Sequence, residues 1–152
     1  MSIPFTISAA VVAALEADTE LAGVTVVDNP ITPSALEDGA RVVFVEDRDD
    51  APLDKPGQAE GRTFGFIVGV INRTAGARAG ADADMERVKA VATLAARNAC
   101  TSLLEGKQIV KFQYPREMQR SYRVEGLDVG GALITTRFEI DYRLPSPARA
   151  AT

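Results

Sequence analysis

Residues Asp82 to Glu105, DADMERVKAVATLAARNACTSLLE, constrain the fold more than any other stretch. Met85, Val88, Ala92, Ala95, Ala99 and Leu103 recur at steps of three and four, the spacing of one helical face. Val91, Ala96 and Cys100 widen that face to roughly half the circumference. Glu86, Arg87, Arg97, Asn98, Thr101 and Glu105 take the opposite side, where Leu94 is the one apolar oddity. Asp82 or Asp84 is expected to cap the first turn, and Gly106 to close the last in the left-handed conformation. At about 1.5 Å per residue the helix is roughly 36 Å long, enough to cross a small sheet. Its buried centre is nearly all alanine, so the layer beneath must come close.

The strands on either side are the expected mates. Thr63 to Arg73 (TFGFIVGVINR) puts Phe64, Phe66, Val68 and Val70 on one face, which we place under the helix. Gly65, Ile67, Gly69 and Ile71 form the other face, thinned by its glycines so that another backbone can approach. The last strand, Ala132 to Arg143, alternates cleanly. Ala132, Ile134, Thr136, Phe138, Ile140 and Tyr142 point inward, and Thr135, Arg137, Glu139, Asp141 and Arg143 outward. Arg41 to Glu46 reads as an interior strand with both faces covered. Further strands are predicted at 24–27, at 108–114 and at 121–129, the last turning at Gly130-Gly131.

Ahead of these, a first helix is predicted from a Thr6 or Ser8 cap to about Asp18 or Leu21, with Ile7, Val11, Val12 and Leu15 as its apolar side and Gly23 as its stop. Residues 31–39 read as a loop with one helical turn at 34–38. The stretch DRDDAPLDKPGQAEG, from Asp47, has no hydrophobic period and reads as a long mobile acidic loop. Together these give an α+β two-layer sandwich: a mainly antiparallel sheet carrying helix 82–105 and a shorter N-terminal helix, in one domain over 1–144 with a flexible tail at 145–152.

Composition narrows the function classes. The 152 residues suffice to bury one core, and no apolar run reaches the ~18 residues a membrane span needs. The first positive charge is Arg41, so the basic start of a signal peptide is missing and a cytoplasmic origin is expected. The single Cys100 lies on the apolar helix face, as a buried inert thiol would. The net charge of −4 argues against a general nucleic-acid binder. It is unevenly spread: residues 1–60 hold 12 acids and 3 bases, residues 61–152 hold 9 acids and 14 bases. Such asymmetry serves either intramolecular pairing or head-to-tail assembly.

Chemistry is hard to find. With no histidine, the commonest general base and metal ligand are missing, and there is no glycine-rich phosphate loop. An enzyme is not expected, nor a cofactor. Glu46, Asp47, Asp49 and Asp50 are the best acidic cluster, but lack the spacing of a calcium loop and are read as solvated rather than as a metal site. Lys107, Lys111, Arg116, Arg120 and Arg123 form a basic segment among Phe112, Tyr114 and Tyr122. Those aromatics alternate as strand-core residues do, so a basic rim on structural aromatics is preferred to a base-stacking platform. Partner recognition through that rim fits both.

Four segments in order resemble the tail-terminator, or tail-completion, proteins of long-tailed bacteriophages. They are FTISAAVVAALEAD followed by VTVVDNP; VVFVED; FGFIVGVINRTAG leading into ADADMERVKAVATL; and GGALITTRFEIDYR. The likeness covers residues 5 to 143 and lies in order and texture, not in a signature motif. It implies a small α/β subunit in a homohexameric ring at the head-proximal end of the tail tube. Such a ring stops tube growth and receives the head-side connector or neck protein. The tube protein, and in a contractile tail the sheath, would be neighbours, and DNA would pass through the lumen. The expected location is the virion, after synthesis in the host cytoplasm. Another ring-forming neck or baseplate adaptor, or a monomeric binding domain, is the alternative. The acidic loop 46–60 is longer and more charged than that family implies. Candidate interface residues are Asp47, Asp49, Asp50, Arg87, Leu94, Arg97, Arg116, Arg120, Arg123, Arg137, Glu139, Asp141 and Arg143. Neutralising Asp47, Asp49 and Asp50 is expected to impair ring formation or tail joining.

Overall fold

The computed structural model describes residues 1–28, 41–53, 60–74, 77–123 and 131–145. Helix α1 spans Ile3–Ala17. Its cap is Ser2, whose hydroxyl accepts the Phe5 N–H at 3.2 Å, and Pro4 sits in the first turn, where no N–H is missed. The expected caps therefore fall inside the helix: Thr6 Oγ1 donates back to the Ser2 carbonyl at 2.9 Å, and Ser8 turns toward Asp47 at 3.3 Å. A short 3-10 turn at Thr19–Leu21 leads to Gly23, at φ +82°, and strand β1, Thr25–Val27.

Helix α2 runs Ala77–Glu105 and starts five residues ahead of the expected start. Asp82 and Asp84 are thus interior and cap nothing; each binds an arginine instead. At the other end Lys107, not Gly106, takes the left-handed turn, at φ 60°. The Gln108 N–H reaches the Leu103 carbonyl at 2.9 Å and the Lys107 N–H the Leu104 carbonyl at 3.1 Å, closing a Schellman motif.

The sheet orders as β1, β2 (Arg41–Pro52), β3 (Gly61–Asn72) and β6 (Ala132–Arg143). The far edge of β6 pairs with β4 (Lys111–Phe112) at one end and β5 (Arg116–Arg123) along the rest. Only β1 runs parallel to its neighbour among these pairs. Both helices cover one face, so the fold is α+β. That buried layer joins Ile7, Val11 and Leu15 of α1, Met85, Val88, Ala92 and Cys100 of α2, and the expected Phe64/Phe66/Val68/Val70 face of β3. Phe66 stacks between Phe64 and Phe138, with ring centroids 5.6 and 5.5 Å apart. Alternation along β6 is unbroken. Buried Thr136 donates its hydroxyl to the Met85 sulfur at 3.3 Å.

Several expectations are corrected. Residues 47–52 are not loop: β2 continues through them against β3, with a bulge between Asp47 and Asp49. The predicted strand at 108–114 shrinks to two residues, flanked by backbone bonds from Val110 and Gln113 to Arg143 and Asp141 of β6; the predicted 121–129 strand begins at Arg116. The turn at 34–38, the mobile loop over 54–59, the stretch 124–130 and the tail from 146 lie outside the described residues. Cys100 is fully buried, and burial pushes its thiol up to about 11. We predict no reaction with a thiol reagent at pH 8 in the native state and full reaction in urea.

The glycines of β3 admit side chains, not a foreign backbone. The Phe44 ring lies where a Gly69 Cβ would stand, and the Asp49 and Arg137 head groups fill that place at Gly65. Gly69→Ala must push the ring off the sheet, at a cost of about 1–3 kcal/mol. Urea denaturation with an unchanged m-value checks it.

Candidate assembly surfaces

Arg137, Glu139 and Asp141 sit at every second position of β6 and so share the face turned away from the helices. Neighbouring strands complete a line of alternating charge across them. Arg137 Nη2 donates to Asp49 at 2.9 and 3.1 Å and reaches Glu139 at 3.5 Å. Arg116 reaches Glu139 at 3.4 Å and Asp141 at 2.8 Å, and Thr63 donates to Asp141 at 2.7 Å. Burial pushes the Asp141 carboxyl up, but the bonds from Arg116 and Thr63 win and hold it below the usual range. Three acids face two arginines, so the line keeps a negative surplus. Beside it Asp50 accepts from Arg62 at 3.0 Å and from the Tyr142 hydroxyl at 2.8 Å; burial and that bond hold the phenol proton well above its usual range.

The acidic cluster is therefore split. Asp47 turns toward α1 and Ser8, and burial raises its carboxyl. Asp49 and Asp50 bind arginines. Among the described residues no group of three or more candidate ligands is arranged to hold a metal ion.

On α2, Arg87 makes two 2.8 Å bonds to Asp18 and a 3.1 Å contact with Glu20, so its own chain already half-covers it. The hydrogen bond from Arg87 holds the Asp18 carboxyl below its usual range. Leu94 is 58% exposed, in a shallow depression shared with Ala90, Thr93 and Arg97. The Arg97 guanidinium lies 4.2 Å over the Tyr114 ring.

Part of the basic segment is not a free rim either, since Arg116 and Arg120 are paired within the chain. Arg120 binds Glu86 at 2.5 Å and Asp82 at 3.1 Å, and Lys89 binds Glu117 at 2.8 Å, clamping β5 to α2. Arg123 stands opposite Leu133 on the sheet, and Arg143 opposite Gly61 and Lys111. Tyr114 and Tyr122, expected in the strand core, are instead 59% and 56% exposed. The Gln113 N–H still reaches the Asp141 carbonyl at 2.9 Å, but residues 113–115 lie outside any strand, so the alternation does not carry through Tyr114. The charge asymmetry is in part intramolecular, since Asp18, Glu20, Asp49 and Asp50 of the acidic part bind Arg87, Arg137 and Arg62 of the basic part.

Sequence reasoning missed a groove of about 710 Å³ between α1 and β2. Phe5, Ala9, Val12, Ala13 and Glu16 line one wall, and Val45, Glu46 and Asp47 the other. The signal was a second apolar stripe on α1, out of phase with Ile7, Val11 and Leu15.

Comparison with protein-family models and with the curated proteins found no match. Among solved structures, a chain described as "Virion of native gene transfer agent (GTA) particle" is similar at 18% identity, over 91% of this chain and 94% of that chain, with a TM-score of 0.42.

Proposed function

We propose that this chain is a structural virion protein, a tail-terminator-like subunit whose ring caps the head-proximal end of a phage tail tube and joins it to the head connector. The observation that carries the reading is the surface of α2 and β5. Leu94 on α2, Tyr114 just ahead of β5, and Met118 and Tyr122 on β5 stay 58%, 59%, 49% and 56% exposed. Exposed large apolar side chains on neighbouring elements suit a contact face. The charge line across β6 suits a lumen wall: Arg116 and Arg137 are held by carboxylates, so DNA phosphates meet no free guanidinium there. No catalysis is assigned. Tube protein on one side and a connector on the other are the partners this role requires.

Mixing the purified protein with tail tubes and imaging them tests the reading. The expected result is a ring at one tube end and a multi-subunit mass by light scattering. A protein that stays monomeric at high concentration and leaves tube ends bare would sink it; a ring found elsewhere in the neck or baseplate would make it an adaptor instead.

A further inference from the structure

We infer that the groove between α1 and β2 receives a second copy of this chain, which presents the lysine-bearing edge next to β4; this rests on the assembly reading above. The groove floor is apolar, with Val45 at 2% exposure, and Phe5 stands 51% exposed on its wall. Its rim is acidic: Glu16, Glu46 and Asp47 line it, and although Arg48 pairs with Glu46 at 2.9 Å, Glu16 and Asp47 leave it a negative surplus among the described residues. The ordinary reading is an incidental surface cleft, but its chemistry is matched by one other place on the same molecule.

After α2, Lys107 and Lys111 stand exposed, and neither forms an ion pair among the described residues. Val110 and Tyr114, 39% and 59% exposed, lie beside them. This edge is cationic with apolar relief; the groove is anionic with an apolar floor. The strand order β1-β2-β3-β6-β4 sets the two at opposite edges of the sheet. A contact between unlike surfaces repeats from subunit to subunit, and closes into a ring when the rotation allows. Complementary charge sets encounter and register, and the apolar parts supply the buried area.

Two variants, Ala13→Cys on the exposed side of α1 and Lys111→Cys, test this in the full chain; native Cys100 is buried and does not compete. Mixed under mild oxidant, they are expected to give a disulfide-linked dimer at least tenfold more abundant than either variant alone. In parallel, Glu16→Lys with Glu46→Lys should weaken assembly in sedimentation, Lys107→Glu with Lys111→Glu should do the same, and mixing the two reversed proteins should restore it. A mixture that cross-links no better than its components, or reversals that leave sedimentation unchanged, overturns the inference. If tubes are capped all the same, only the docking groove is wrong. If the cross-link forms and tubes stay bare, docking stands and the proposed function falls.

Discussion

Phe66→Ala is expected to lower the unfolding free energy by about 3–5 kcal/mol. Phe66 has no exposed surface and is stacked on both sides, 5.6 Å from Phe64 and 5.5 Å from Phe138. Removing the ring deletes buried apolar surface and both stacking contacts. The layer above cannot refill the space, because the centre of α2 is built of alanines whose side chains have no reach. The cost should therefore fall toward the upper end for such substitutions. Urea titration at 25 °C measures it, and a loss under about 1.5 kcal/mol with an unchanged m-value would show that the helix settles into the void.

Arg41→Ala is the second large effect, expected at about 2–3 kcal/mol. Arg41 donates two bonds, 2.7 and 3.2 Å, to Asp84, which is only 8% exposed. Truncating the arginine leaves a carboxylate on the inner side of α2 with its partner gone. The double variant Arg41→Met with Asp84→Leu separates that penalty from the worth of the pair. It should recover most of the loss, since no orphan charge remains. If it is as unstable as Arg41→Ala, the pair itself holds the start of β2 to the helix.

These two sites also show what was legible in advance. The Phe66 face and the β6 alternation are written in local periods of two, and the α2 face in steps of three and four. Burial enforces those periods, so they are visible in a single chain. The second half of β2 was hidden for the opposite reason. DRDDAP has the composition of a loop, and it pairs because Arg137 and Tyr142 wait 88 and 92 residues away. Helix starts were misplaced where a nearer cap competed, as Ser2 with Pro4 did against Thr6. The candidate surface was legible as opposed charge, but charge counts do not say whether Arg87 meets Asp18 of its own chain or of another. Tyr114 is exposed because it falls between β4 and β5, a break that alternation alone does not reveal, whereas Tyr122 is exposed within β5 itself.

Gly65 and Gly69 have a consequence for strand register. Alternation protects a sheet against a slip of one residue, which would turn the core face to solvent, but not against a slip of two. Here a two-residue slip of β3 would bring Ile67 or Thr63 beneath Asp49 and Arg137, and Ile67 or Ile71 beneath the Phe44 ring. The two glycines act as keyholes cut for those particular neighbours, so the sheet assembles in one alignment. In the ring proposed above, that alignment would fix the geometry of each contact between copies.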